Sequence, residues 1–245
     1  MALSIDLHGR VVLVTGGTRG IGLGIAEAFR AAGARVVTCS RSEVDAPDHH
    51  VCDVRDPDAV QALVASVVGD AGRLDVLVNN AGGAPSADAA TASARFHDKI
   101  VGLNLLSPLL VSQAANAVMQ QQDGGGSIVN ISSVSASRPA PTIAAYGAAK
   151  AGLDSLTMSL AVEWGPKVRV NAIDVGLCRT EQTDDHYGDD ARVSAIEATI
   201  PLGRMARPEE VGHVAVFLAS DLASYVSGAR VACHGGGEPP VFLHV

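Results

Sequence analysis

Short runs of apolar and β-branched residues alternate along most of the chain with longer stretches in which apolar positions recur at helical spacing. Strands buried on both faces read as continuous apolar runs, so this alternation predicts βαβ units feeding a parallel sheet covered on two sides. The pattern places strands at Arg10–Thr15, Arg35–Cys39, His50–Cys52, Leu74–Val78, Ser127–Ile131, Val168–Ile173 and Ala229–Ala232. It places helices at Gly20–Ala32, Pro57–Gly69, Ser93–Gln121, Thr142–Trp164 and Pro208–Ala219. Their order predicts an α/β fold, a Rossmann-type doubly wound parallel sheet of about seven strands. The stretch from Arg41 to Asp53 is too short for a full helix and carries Asp45, Pro47 and two histidines, so the crossover between strands two and three is a shortened loop. Ala84–Ala94, rich in alanine and serine, and the turn Gly124–Gly126 read as surface connections.

With 245 residues and 47% hydrophobic content, the chain can bury one large core, and residues 1–245 are expected to form a single domain. The net charge is −8, and the basic residues are scattered rather than gathered in a patch, which argues against nucleic acid or an anionic membrane as partner. Cys39, Cys52, Cys178 and Cys233 show no CxxC spacing and read as reduced thiols. The start of the sequence lacks the basic segment and apolar core of a signal peptide, and no uninterrupted apolar run approaches membrane-spanning length. A cytoplasmic protein is expected.

Candidate chemistry begins directly after the first strand, where Thr15-Gly-Gly-Thr-Arg-Gly-Ile-Gly22 opens a helix. Glycines there let backbone approach a diphosphate, and the helix start offers unpaired amides and a positive dipole end. Gly16, Thr18, Arg19, Gly20, Ile21 and Gly22 are therefore candidate phosphate ligands. A carboxylate at the end of the second strand would select NAD by binding its ribose hydroxyls. Here that position holds Ser40, followed by Arg41. With Arg19 as a second cation, this favours NADP(H) over NAD(H).

A second constellation comprises Ser133, Tyr146 and Lys150. Tyrosine and lysine four residues apart share a helix face, so the ammonium is expected to favour the ionised phenol and bring its pKa of about 10 toward neutrality. Ser133 follows an apolar strand, where a hydroxyl can donate to a carbonyl or alkoxide oxygen. Such a trio suits carbonyl proton transfer. A GxSxG elbow and an HExxH helix are both lacking, so neither serine hydrolysis nor a metal site is expected.

Taken together, these motifs resemble the compact, single-domain short-chain dehydrogenase/reductase family along essentially the whole chain. The resemblance rests on Thr15–Gly22, Asp53-Val54, Asn79-Asn-Ala-Gly82, Asn104, Ser133, Tyr146 and Lys150. It continues through Val168-Arg-Val-Asn171, Thr180, Pro201-Leu-Gly-Arg204, Pro208-Glu-Glu-Val211 and Gly235-Gly236. It implies that Asp53 and Val54 hold adenine, that Asn80, Ala81 and Gly82 line the nicotinamide ribose, and that Gly176 and Thr180 contact the nicotinamide side. It further implies that Tyr146 is the general acid in reduction and base in oxidation. Lys150 would lower the tyrosine pKa and bind ribose hydroxyls, Ser133 would orient the carbonyl, and Asn104 would hold a water in a proton relay. By itself, Asn104 within an apolar helical pattern reads as a satisfied helix kink.

Three departures stand out. Val175-Gly176 replaces the family's Pro-Gly, the crossover after Arg41 is short, and the tail carries an apolar Val241-Phe-Leu243 expected to pack on a neighbour or the chain's own core. The acidic segment Glu181–Asp190, with His186 and Tyr187, reads as a lid over the substrate. The expected activity is interconversion of a ketone and a secondary alcohol. A 3-oxoacyl-[acyl-carrier-protein] reductase is the alternative, and a non-catalytic nucleotide sensor the distant one. The stretch Met119–Gly126 lacks the cations that would dock an acidic carrier, which favours a small free carbonyl or alcohol. The resemblance also implies a homodimer or homotetramer assembled through the two long helices.

Overall fold

The computed structural model describes residues 5–183 and 187–237. The lid residue His186 and the apolar tail segment Val241–Leu243 lie outside them.

Seven strands, β1 (Val11–Thr15), β2 (Arg35–Ser40), β3 (His49–Val51), β4 (Val76–Asn79), β5 (Gly126–Ser133), β6 (Val168–Val175) and β7 (Arg230–Cys233), form one sheet. Its order is β3-β2-β1-β4-β5-β6-β7, and every pairing is parallel. The doubly wound topology matches the sequence pattern, and the β2–β3 connection holds no helix. The chain reverses its direction of winding between β1 and β4, which opens a crevice at the carboxyl ends of the strands.

Helix α1 (Gly20–Ala31) has Arg19 at its N-cap in extended conformation with no side-chain cap, leaving its first amides open. Helix α2 (Pro57–Ala71), by contrast, is closed by Asp56, whose carboxylate accepts from the Asp58 and Ala59 amides, and it ends on Gly72 at φ 74°. The long run expected at Ser93–Gln121 is helical but is divided into α3 (Ala94–Val101), a π-helical turn at Gly102–Leu106 and α4 (Ser107–Met119). Helix α5 (Ala144–Trp164) carries the candidate tyrosine and lysine. Among the described residues, α6 (Asp190–Glu197), which the sequence pattern did not reveal, and α7 (Pro208–Ala219) follow β6. Only Val193 of α6 is buried, so its apolar periodicity is weak.

One face of the sheet packs on α1 and α7 through Ile25, Phe29, Val211, Ala215 and Leu218. The other packs on α2, α4 and α5 through Leu63, Val64, Val111, Ala115 and Leu160. The continuous helical run Ala94–Met119 is, by length and composition alone, long and apolar enough to cross a bilayer. Its apolar side chains Val111, Ala114, Ala115 and Met119 are buried in the second cluster, as befits a core helix.

Candidate active site

The cleft at the carboxyl ends of the strands encloses about 760 Å³ and runs from Ser40 and Arg41 at one end to Ser133, Tyr146 and Lys150 at the other. That volume lies in the range of small-molecule and cofactor sites, roughly 300–1,000 Å³.

Backbone builds the first end. Gly16 and Gly20 have positive φ of 63° and 52°, a region that disfavours side chains. A Cβ on Gly22 would lie 2.1 Å from the Gly16 carbonyl oxygen and 2.4 Å from Asn80 Nδ2, so only glycine lets α1 start this close to the turn. The open amides of α1 face this space, making a cradle that fits a diphosphate. Thr18, Arg19, Gly20, Ile21 and Gly22 all line it. At the end of β2, Ser40 Oγ donates to the Ser42 carbonyl at 2.7 Å, and the exposed Arg41 lines the wall beside it. Asp53 and Val54 face them across the cleft. The Asp53 carboxylate is bound by Arg55, with Nη2 at 2.6 Å, and that hydrogen bond lowers its pKa.

The Asn80–Gly83 loop is held against the glycine turn by residues the sequence reading had not singled out for this task. Thr15 Oγ1 accepts from both the Asn80 and Ala81 amides at 3.0 Å. Asn80 Nδ2 returns to the Thr15 and Gly16 carbonyls at 2.9 and 3.1 Å. From behind, Asn104 Oδ1 accepts from the Gly83 amide at 2.8 Å, while its Nδ2 donates to the Gly83 and Ile100 carbonyls. Asn104 is fully buried and does not line the cleft. Asn104 is a satisfied amide inside a π-helical turn, pinning the loop. Its side-chain amide is committed to backbone partners on both of its atoms.

The other end is made of side chains, Lys150 buried and Ser133 and Tyr146 partly so. Strand β5 extends two residues beyond the expected Ile131, so Ser133 is its last residue, and its Oγ accepts from the Ser135 amide at 3.2 Å. Across from it Tyr146 is partly buried, and Lys150 lies one turn further along α5, with Nζ 5.6 Å from the tyrosine ring centroid. Nζ donates to the Ile131 carbonyl at 2.7 Å. Burial pulls the Lys150 pKa down to about 8, with Asp154 opposing the fall. Burial also raises Tyr146, and a hydrogen bond with Ser133 offsets this in part. Desolvation is thus the largest influence on the phenol.

Gly176 closes the wall at the end of β6, donating its amide to the Cys233 carbonyl at 3.0 Å. A Cβ there would lie 2.7 Å from His234 Cβ, so a glycine is required even though Val175 stands where the family has proline. Thr180 reaches over the turn at Gly20, and its amide donates to Thr183 Oγ1 at 2.7 Å. Tyr187 lines the substrate side of the cleft.

A family model described as enoyl-(acyl carrier protein) reductase matches residues 16–238. The chain is 38% identical to D-threitol dehydrogenase of Mycolicibacterium smegmatis, covering 96% of each sequence. It is also 38% identical to 3alpha-hydroxysteroid dehydrogenase of Mediterraneibacter gnavus, covering 95% of this chain and 98% of that one. Among solved structures, ligand-free aldohexose dehydrogenase of Thermoplasma acidophilum superposes with a TM-score of 0.90 at 33% identity, covering 96% of both chains. With its parallel sheet, its cradle for a dinucleotide and relatives along its full length, the chain belongs to the short-chain dehydrogenase/reductase family of NAD(P)-dependent oxidoreductases.

Proposed function

We propose that residues 1–245 act as one NADP(H)-dependent oxidoreductase domain that interconverts a small free ketone and a secondary alcohol. The observation carrying this reading is the convergence of Ser133, Tyr146 and Lys150 at one end of a cleft whose other end is a glycine-lined phosphate cradle. The bound nicotinamide supplies hydride chemistry. The protein's own residues do the rest. Ser133 donates to the substrate oxygen, and Tyr146, held in a dry environment that keeps its phenol protonated, delivers a proton to that oxygen in reduction and takes it back in oxidation. Lys150 provides the cation that stabilises the phenolate and reaches the ribose hydroxyls.

Arg41 and Arg19, both exposed at the cradle, supply the charge for a 2′-phosphate, and Ser40 offers no carboxylate to repel one. A free substrate is favoured over a carrier-bound one because Arg169, a cation near the relevant edge, is committed. Its guanidinium donates to the Leu218, Ser220 and Val226 carbonyls. Exposed Met158 and Val162 on α5 support a homodimer or homotetramer built through that helix, checked by light scattering. We place the protein in the cytoplasm.

The test is a panel of ketones, ketoses and polyols assayed at about 340 nm, where reduced nicotinamide absorbs, with NADPH or NADP⁺ against NADH or NAD⁺. Turnover of at least one small substrate with an NADP(H) preference is expected. Equal binding of NADH and NADPH would overturn the cofactor assignment.

A further inference from the structure

Helix α5 continues its buried face one turn past Lys150 to Asp154, whose side chain is only 4% exposed. In register beside it, Ser132 on β5 pairs with Asp174 on β6, another buried carboxylate. Arg230 on β7 reaches over both: its Nη2 is 2.8 Å from Asp154 Oδ2 and 2.7 Å from Asp174 Oδ2. Two carboxylates therefore share one guanidinium, although each needs a full positive charge to balance it in so dry a place. The second cation of the group is Lys150. Lys150, Arg230, Asp154 and Asp174 thus form a charge-balanced cluster directly behind the proton-transfer site.

We propose that Asp154 is the positioning residue of Lys150: ionised and clamped by Arg230, its carboxylate keeps the buried ammonium charged at neutral pH. The functional consequence rests on the reading of Tyr146 and Lys150 as the proton-transfer pair, but the electrostatic claim does not. The groups that face Lys150 can be named element by element. Tyr146 and Asp154 flank it on α5, and β5 contributes the Ile131 carbonyl and Ser132, whose Oγ lies 3.5 Å from the Lys150 carbonyl. Asn104 from the π-helical turn is neutral, and Asp174 and Arg230 stand behind Asp154. Desolvation and the neighbouring Asp174 both raise the Asp154 pKa, while Ser132 and Arg230 oppose them. The Ser132 hydroxyl first and the arginine second are thus what support a carboxylate anion at this depth. Removing the Asp154 charge takes away the carboxylate that acts on Lys150 from one turn along the helix, whereas Asp174 stands behind it, so only the loss of Asp154 favours release of the Lys150 proton.

The chain's lysines are Lys99, Lys150 and Lys167, so the ammonium can be followed directly. In protein labelled with ¹³C at lysine Cε, Lys150 is assigned by its loss in Lys150→Arg and titrated by NMR, beside pH profiles of kcat/KM. We expect a wild-type midpoint near the value of about 8 that burial sets. Asp154→Asn, and Asp154→Ala as an independent variant with a different packing defect, should lower it by about one unit or more, the scale on which a nearby opposite charge acts. Asp154→Glu should restore it in part, and Asp174→Asn, which removes Asp154's competitor for Arg230, should leave it in place. The high-pH limb of kcat/KM should follow the Lys150 midpoint downward. An unmoved midpoint in folded Asp154→Asn overturns the proposal, and so does an equal fall in Asp174→Asn. A wild-type Lys150 that is already neutral at pH 7 overturns it as well, without recourse to any variant. If the midpoint falls and the kcat/KM limb stays put, the counter-ion stands and the catalytic reading of Lys150 fails instead.

Discussion

Under the start of α1 the wall of the cleft is main chain: positive-φ glycines, open amides and carbonyls brought so close that a single methyl on Gly22 collides with them. At the α5 end the wall is side chain, and its working groups are a hydroxyl together with a phenol and an ammonium in a space dry enough to move the pKa values of those last two. The first end can bind an anion through geometry alone, with arginines only at its exposed rim. The second depends on charges being balanced out of contact with water. Steric change should therefore damage the first end, whereas changes of charge or proton affinity should damage the second.

The strongest separation comes from Tyr146→Phe. It removes a proton donor and little volume, so kcat should fall by about 10²-fold or more while NADPH still binds. Stopped-flow or steady-state rates beside a fluorescence titration of NADPH check both halves, and retention of a tenth of the wild-type rate would remove Tyr146 from the mechanism. Gly22→Ala is the steric counterpart. Its Cβ would meet the Gly16 carbonyl, and the backbone shift this forces costs about 1–3 kcal/mol, or roughly a tenfold to a hundredfold loss of affinity for either cofactor. Calorimetry with NADPH and NADH measures this, and an unchanged Kd would show that α1 can retreat freely.

Arg41→Ala probes charge at the rim of the backbone-built end. A charge-assisted hydrogen bond contributes about 1.5–3 kcal/mol, so NADPH binding should weaken by about tenfold while NADH binding is nearly unchanged. The smallest effect lies outside the cleft, at Glu210. A hydrogen bond from Arg204, reinforced by the Arg207 amide, lowers its pKa to about 2, against 4.5 for a free glutamate. The depressed carboxylate contributes stability that is complete above pH about 4.5 and lost as the pH falls through about 2. Because the pair faces solvent, Glu210→Gln should cost less than about 1 kcal/mol at pH 7, nothing near pH 2, and no activity. Thermal melts across that window decide it, since a pH-independent loss would point to the helix cap instead of the charge.

The same contrast explains what the sequence disclosed. Gly16, Gly20 and Gly22 stand within one turn of chain, and the requirement for them is local, so their spacing alone marks the cradle. Tyr146 and Lys150 follow helical periodicity and were equally legible. The balance behind Lys150 was not, because Asp174 and Arg230 are 56 residues apart and meet only through the register of two neighbouring strands. Thr15 was visible only as the first letter of the glycine motif, although its hydroxyl anchors two amides of a distant loop. The π-helical turn left its trace in one asparagine inside an apolar pattern, which fixed the kink and could not fix where the amide would point. Helix α6 escaped because one buried valine does not make a period.

After β6 the chain leaves the sheet and comes back to the point of departure: Cys178 pairs with Ala206, the Arg179 amide donates to the Ala206 carbonyl at 2.8 Å, and the Ala206 amide donates to the Leu177 carbonyl at 2.9 Å. Beyond this neck α7 is locked onto α1, where a Cβ on Gly212 would lie 2.6 Å from Ala28 Cβ. The excursion that leaves at Arg179 and returns at Met205 is thereby tied at its base. Closure entropy grows slowly with length, so residues can be inserted, deleted or exchanged there at little cost to the sheet. Evolution, or an engineer, can in this way change what is accepted at the mouth of the cleft while the parts that bind phosphate and move the proton are inherited intact.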